Sequence, residues 1–272
     1  MHPFTRKGVG VHSGEECEVR VLPGTWGEGI VFHYAEHRIK ACIENARAGE
    51  GCTQLTNGQG LIQTPEHFLA ACAGLGLTDL QVMLSAPELP ILDGSALPWW
   101  LALHESATEQ GPAMIPRKVR TVVSVSDEAS HARLSPADHC EVIVHVAFGE
   151  EYPHGEARSV LPCEHFGARV APARTFCLER DVARLQAAGR GKGANIGNTL
   201  VLRPGGVVNP EGMRRANEPV LHKLLDAVGD FWLLGPVQGK FEVHLGSHRL
   251  HQKCLAAAAQ QHGWGSLHSP AP

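Results

Sequence analysis

Apolar side chains in the stretch Asn217–Gly235 (Val220, Leu224, Leu225, Val228, Phe231, Trp232) recur at helical spacing, which commits this segment to a helix with one buried stripe. Pro219 suits its first turn, where a missing N–H costs nothing, and Asn217 is placed to cap that end. On such a helix His222 and Asp226 sit one turn apart and project from one face, with Asp230 a further turn along the same row. The pattern has an echo. Glu66-His67-Phe68-Leu69-Ala70 also places a histidine at the start of an apolar helix, and each of the two helices runs into glycine and then a strand. Two such segments predict two similar α+β units whose helix starts share one cleft.

A chain of 272 residues exceeds one compact core, and two domains are expected, 1–111 and 112–272, divided in the linker-like run Thr108–Pro116. Hydrophobic residues at 43% and charged residues at 19% describe an ordinary globular protein. A formal charge of -4 gives no reason to expect nucleic-acid binding, which calls for a basic face. No apolar run reaches the roughly 18 residues of a membrane span, and the N-terminus lacks a signal-like apolar region. The eight cysteines are scattered, without a Cys-x-x-Cys pair, and read as reduced, mostly buried thiols of a cytoplasmic protein. Histidine is abundant, at 17, so a histidine carries weight only where its local setting is also right.

Along the chain, Gly8–Gly14 reads as a turn, and strands are expected at Glu16–Leu22, Gly29–His33 and Arg38–Ile43. Ala48–Gly60 reads as loop. Thr64 is placed to cap a helix that has Pro65 in its first position and ends at Gly74 and Gly76; a strand at Asp79–Leu84 and a helix at Leu97–His104 follow. The second half is expected to hold strands at Val119–Val125, His131–Leu134, Cys140–Phe148 and Thr199–Leu202. A helix is expected at Leu178–Ala188, a strand at Lys240–Leu245, a turn at Gly246–His248, a last helix at His251–Gln261, and a frayed tail.

A catalytic zinc ion takes three protein ligands and keeps one position open. His67, His222 and Asp226 supply two imidazoles and a carboxylate, a set that suits Zn²⁺. Glu66, next to His67, is a candidate general base, and His248 a candidate general acid held protonated by Asp230. Thr175 offers a hydroxyl to a tetrahedral oxyanion. Each residue alone has an ordinary explanation: a helix-dipole carboxylate for Glu66, a turn histidine for His248, a strand or cap residue for Thr175. Their joint occurrence points to hydrolysis of an amide or ester.

Four separated blocks carry a family resemblance: Gly8–Gly14, Thr64–Ser95 with its Glu-His and Leu-Asp-Gly-Ser, Ala173–Asp181, and His222–Leu255. In order and spacing they resemble the zinc deacetylase of lipid A biosynthesis, UDP-3-O-acyl-N-acetylglucosamine deacetylase. The resemblance implies two α+β sandwich domains packed through their helices, with the active site between them. It implies zinc on His67, His222 and Asp226, Glu66 as base, His248 as acid oriented by Asp230, and Thr175 at the oxyanion. Lys223 matches a lysine that meets the diphosphate. Phe148 falls near an aromatic position beside the nucleotide, Phe176 next to Thr175 is a further substrate-binding candidate, and Cys52 sits near a position that approaches the metal. Arg190-Gly191-Lys192 puts cations where the family keeps an apolar stretch close to the acyl-chain passage. The expected partner is a UDP-linked N-acetylated sugar, acted on by a monomer without membrane insertion. The alternatives are the same chemistry on another N-acetylated sugar nucleotide or nucleoside, and a non-catalytic relative that binds UDP-sugar.

Overall fold

The computed structural model describes residues 1–107 and 114–265. The first half contributes β1 (Phe4–Val9), β2 (Glu16–Pro23), β3 (Ile30–Tyr34) and β4 (His37–Lys40). Next come β5 (Ala46–Ala48), β6 (Thr53–Thr56), β7 (Leu61–Gln63), α1 (Glu66–Leu75), β8 (Leu80–Leu84) and α2 (Leu97–Ser106). Alternation builds this sheet: Cys17, Val19 and Val21 of β2 point inward while Glu16, Glu18 and Arg20 face water. The strand order is β1-β2-β8-β3-β4, antiparallel except for the parallel pair β3 and β8.

The second half holds β9 (Arg117–Lys118), β10 (Val123–Asp127), β11 (Ser130–Ser135), β12 (Cys140–Ala147), β13 (His154–Leu161) and α3 (Phe166–Arg169). It continues through β14 (Phe176–Leu178), α4 (Val182–Ala187), β15 (Leu200–Arg203) and β16 (Gly206–Val207) to α5 (Glu218–Phe231), β17 (Val237–His244) and α6 (His248–His262). Its main sheet runs β10-β11-β17-β12-β13, again antiparallel along this path but for one parallel pair, β12 and β17, and the short β9 pairs parallel with the start of β17. The two halves therefore repeat one path: two strands, two strands, an inserted small sheet, a helix, and a last strand that enters the middle of the sheet. The inserts are β5-β6-β7 and β14-β15-β16.

The architecture is α+β, two sandwiches packed through their helices. α1 is buried along nearly its whole length, from Glu66 to Gly74: Phe68 packs on Phe32 of its own sheet, and α2 and α5 cover its other sides. A Cβ added at Gly229 of α5 would lie 2.1 Å from the Glu66 carbonyl oxygen, so only glycine lets the two helices approach this closely. The Trp232 indole donates to the Leu77 carbonyl at 2.9 Å; one large apolar cluster runs through both halves, and a smaller one of Tyr152, Leu200 and Leu202 lies under the second insert.

Several expectations need correction. Ala48–Gly60 is not all loop: Thr53 and Leu55 point inward from β6, a strand short enough to be masked by its glycine-rich flanks. Thr64 does not cap α1; it adopts φ 59 and donates its hydroxyl to Glu88 at 3.3 Å, and no side chain caps that end. Asn217 likewise makes no capping bond. Gly74 lies inside α1, against the Phe166 ring, and Gly76 closes the helix in the left-handed region at φ 71. Leu178–Ala188 begins as strand, because Phe176–Leu178 pairs parallel with β15, and only Val182–Ala187 is α-helical. β17 starts at Val237 rather than Lys240. The last helix starts at His248 rather than His251, because the Ser247 hydroxyl accepts from the Leu250 amide at 3.3 Å. Strand β13 has no counterpart in the sequence reading, since its inward face is only Ala157, Ser159 and Leu161. Most of the linker run Thr108–Pro116 and the end of the tail lie outside the described residues.

Candidate active site

The close approach of α1 and α5 brings His67, His222 and Asp226 together. Asp226 Oδ1 lies 3.3 Å from His222 Nε2 and 3.8 Å from His67 Nε2, and the three donor atoms all fall within 4.8 Å of one another. His222 Nδ1 donates to the Ala173 carbonyl at 3.0 Å, which leaves the Nε2 lone pair facing the cluster. Burial, followed by the neighbouring His222, pushes the His67 pKa down to about 3, and burial lowers that of His222 too. Both rings are therefore neutral, the form that binds metal. Burial opposes ionisation of Asp226, yet Lys223, whose ammonium sits 2.9 Å from Oδ2, holds it far below the usual carboxylate range. Donors at about 2.0–2.1 Å from a tetrahedral ion stand about 3.3 Å apart. Two neutral imidazoles and one carboxylate, buried at nearly that spacing, fit a divalent cation of borderline softness.

Beside this cluster, Glu66 is 2% exposed, accepts the Thr53 amide at 3.2 Å, and is pushed up to about 8, chiefly by burial. Asp230, fully buried, is the hub of a second cluster with His248 and His251. Its Oδ2 accepts from His248 Nδ1 at 2.7 Å and His251 Nδ1 at 2.8 Å, and its Oδ1 from the Thr53 hydroxyl at 2.5 Å. Burial alone would lower the His248 pKa; the charge and hydrogen bond of Asp230 outweigh it and raise the pKa to about 9.

Both groups open on a cavity of about 800 Å³, lined also by His12, Phe148, Thr175, Phe176, Lys223 and Arg190. Phe176 packs edge-on to Phe148 at 5.1 Å and to His222 at 5.9 Å. The Thr175 amide donates to the Gly94 carbonyl at 2.7 Å, tying β14 to the Leu-Asp-Gly-Ser loop of the other half. Gly94, at φ 87, lies where a Cβ would meet the Asn198 carbonyl oxygen at 1.8 Å. Glu66, His67, Phe148, Thr175, Phe176, His222, Lys223, Asp226 and His248, all singled out from the sequence, thus line one cavity, and Asp230 stands behind His248. Lys223, expected to face a diphosphate, is engaged by Asp226 here.

Residues 1–260 match the model of the family described as UDP-3-O-acyl N-acetylglycosamine deacetylase. The chain belongs to this deacetylase family. It is 36% identical over 252 residues to the UDP-3-O-acyl-N-acetylglucosamine deacetylase of Anaeromyxobacter sp. (strain Fw109-5), covering 90% of this chain and 82% of that protein. Identity to the protein of the same name from Phenylobacterium zucineum (strain HLK1) is 36% over 275 residues, 96% and 93% of the two chains. The Haemophilus influenzae (strain PittEE) protein of that name is 33% identical over 270 residues, 94% of this chain and 88% of that protein. Among the described residues, no helix is long and apolar enough to cross a membrane.

In this member of the deacetylase family the structure adds residues that motif reading passes over. Thr53 touches Glu66, Asp230 and His248 together, and Gln252 holds its hydroxyl at 3.0 Å. His251 is three residues from His248 on α6, so it shares a face with it; a helix begun only at His251 hides that spacing in the sequence. Arg174, 1% exposed, clamps the start of α5: Nε and Nη2 reach Glu218 at 2.8 and 3.1 Å, and its amide reaches Glu218 at 3.0 Å. The clamp sits between Ala173, which orients His222, and Thr175. Arg190 bonds the Glu50 carbonyl and lies 3.8 Å from Cys52 Sγ, so its cation closes one edge of the cavity. The Cys52 thiol, pushed up to about 12 by burial and then by Glu66, stays protonated.

Proposed function

We propose that the protein is a zinc-dependent hydrolase that removes the N-acetyl group from UDP-3-O-acyl-N-acetylglucosamine in lipid A biosynthesis. The observation that carries this reading is the meeting of the buried His67, His222 and Asp226 donors with Glu66 and His248 in one cavity of a deacetylase-family chain. His67, His222 and Asp226 would hold the ion. When bound, zinc supplies Lewis acidity, polarising the acetyl carbonyl and making water a stronger acid.

The remaining work falls to side chains. Glu66, a buried carboxylate with a raised pKa, takes the proton from the attacking water. Thr175 donates its hydroxyl to the oxyanion. His248 gives its Nε2 proton to the amide nitrogen as the C–N bond breaks, so that acetate and a free amine leave. Asp230 orients the His248 ring and keeps it charged. Lys223 turns from Asp226 to the diphosphate, and Phe148 and Phe176 form the wall beside the nucleotide. We assign the chain to units 1–111 and 112–272, each supplying one side of the cleft, acting as a monomer in the cytoplasm, where its cysteines stay reduced.

The test is mass spectrometry of acetate release by the zinc-loaded protein, with a chelated control. Chelator-sensitive release from the acylated substrate, and none from UDP-N-acetylglucosamine, is expected. Turnover that survives full removal of metal would end the zinc reading. Arg190 at the cavity edge favours a second reading, the same chemistry on a differently substituted N-acetylated sugar nucleotide; release from the unacylated substrate alone would decide for it.

A second expectation concerns pH. His248 works protonated, so the rate is kept below its folded pKa and lost as pH rises through it. Asp230→Asn removes the charge that raises this pKa. The alkaline limb of kcat/KM moves to lower pH by roughly 1–3 units, the effect of an opposite charge in contact. An unmoved limb would mean that another group supplies the proton.

A further inference from the structure

On the second sheet, the face turned away from the helices carries three imidazoles in one row. Strand β17 alternates buried Val237, Gly239, Phe241 and Val243 with outward Gln238, Lys240, Glu242 and His244. His131 on β11 and His145 on β12 are the register partners of His244 on either side. The His244 ring stacks on both, with centroids 3.9 Å from His131 and 3.8 Å from His145. Glu242, one pleat along, presents Oε1 at 3.2 Å from His145 Nε2 and 3.7 Å from His244 Nε2. These separations nearly repeat the 3.3 and 3.8 Å between Asp226 and its two histidines in the active site. The donor set is also the same: two imidazoles and a carboxylate within 4.8 Å of one another.

We propose that His145, Glu242 and His244 form a second divalent-metal site, for Zn²⁺ or a neighbouring borderline ion, on the outer face of this sheet. Nitrogen and carboxylate donors together select such ions over calcium or magnesium. Stacked rings share no plane, so binding turns one ring about its Cβ–Cγ bond. Side-chain exposures of 29% for His145 and 32% for His244 leave room for that turn and give the ion a path from solvent. Burial and the adjacent imidazoles hold His244 below its usual pKa, so it is neutral at pH 7. Glu156 stands 3.6 Å from His145 Nδ1 and is positioned to fix that ring, while Lys240, 3.7 Å from Glu242, is the cation that the metal must displace. The site lies across the parallel pair β12 and β17, so an ion there staples the two strands on the side of the sheet opposite the active site.

The experiment uses the untagged full chain, stripped of metal and dialysed against free Zn²⁺, with bound zinc measured by elemental mass spectrometry. The His145→Ala/His244→Ala variant is expected to bind one equivalent fewer than the wild type while keeping its deacetylase rate. A His67→Ala/His222→Ala variant is expected to lose the rate and still bind the outer equivalent, which separates this proposal from the active-site assignment. Should the double alanine variant be poorly folded by circular dichroism, His244→Gln, which keeps size and polarity, gives the same loss. Equal zinc content in the wild type and the outer-face variants would overturn the proposal.

Discussion

Glu66→Gln lowers kcat by roughly 10²–10⁴-fold, the usual contribution of a general base, while the zinc content stays at the wild-type value. Glutamine keeps the shape of the side chain and still offers an oxygen to the Thr53 amide, which Glu66 accepts at 3.2 Å. What it lacks is basicity. The wild-type carboxylate is a strong base because burial penalises its charged form and lifts its pKa to about 8. A cation beside it favours the ionised form, so the acid limb of the metal-loaded enzyme lies below that value. The sign is fixed: activity rises with pH as Glu66 ionises, and this limb disappears in the variant. KM changes little, since the proton moves only in the reaction. Measured kcat, KM and bound metal across pH decide the matter. Loss of zinc would make Glu66 a ligand or its support, and an unchanged rate would end its role as base.

Arg174→Met destabilises the fold by about 3–5 kcal/mol, because it leaves the buried carboxylate of Glu218 without its cation. Glu218 is fully buried and keeps only the amides of Arg174 and Arg214, at 3.0 and 2.6 Å. Methionine fills part of the volume but supplies no donor. For a chain of this size the thermal midpoint falls by roughly 2–4 °C per kcal/mol. Burial opposes the Glu218 charge, yet Arg174 holds its pKa below the usual value. The contribution of the pair is therefore present at neutral pH and is lost as pH falls through the folded pKa of Glu218. The gap between wild type and variant is widest near pH 7 and narrows in acid. Because the same clamp sets Ala173 behind His222 and Thr175 beside the cavity, the variant also binds zinc more weakly. Denaturation curves at neutral and acid pH test this; equal midpoints at pH 7 would show the pair to be dispensable.

These two residues differ in how far the sequence announces them. Glu66 stands beside His67 at the start of an apolar helix, and His222, Asp226 and Asp230 repeat at one-turn intervals on another. Helical periodicity is local, so the face shared by His222, Asp226 and Asp230 is legible from spacing alone. Arg174 carries no local signal of its role until Glu218 is seen against it, 44 residues later in the chain. Thr53 lies in a glycine-rich segment, and its bond to Asp230 spans 177 residues. No periodic signal reports such a contact. The stacked histidines of β11, β17 and β12 are equally silent in sequence, since a histidine-rich chain offers many pairs and only strand register selects these three.

By itself the sequence determined the local framework: two helices with a histidine near the start, the row of His222, Asp226 and Asp230 on α5, and strands whose apolar residues alternate. The tertiary structure decided everything that depends on two segments arriving at one point. It gave the last strand of each half its central place in the sheet, turned Thr64 away from its capping role, and started α6 at His248 so that this ring meets Asp230. It also set α1 against Gly229 closely enough for His67 to join His222 and Asp226. The physical reason is range. Backbone periodicity and capping act over a few residues, whereas the burial of both sheets against shared helices is satisfied only by the whole chain at once.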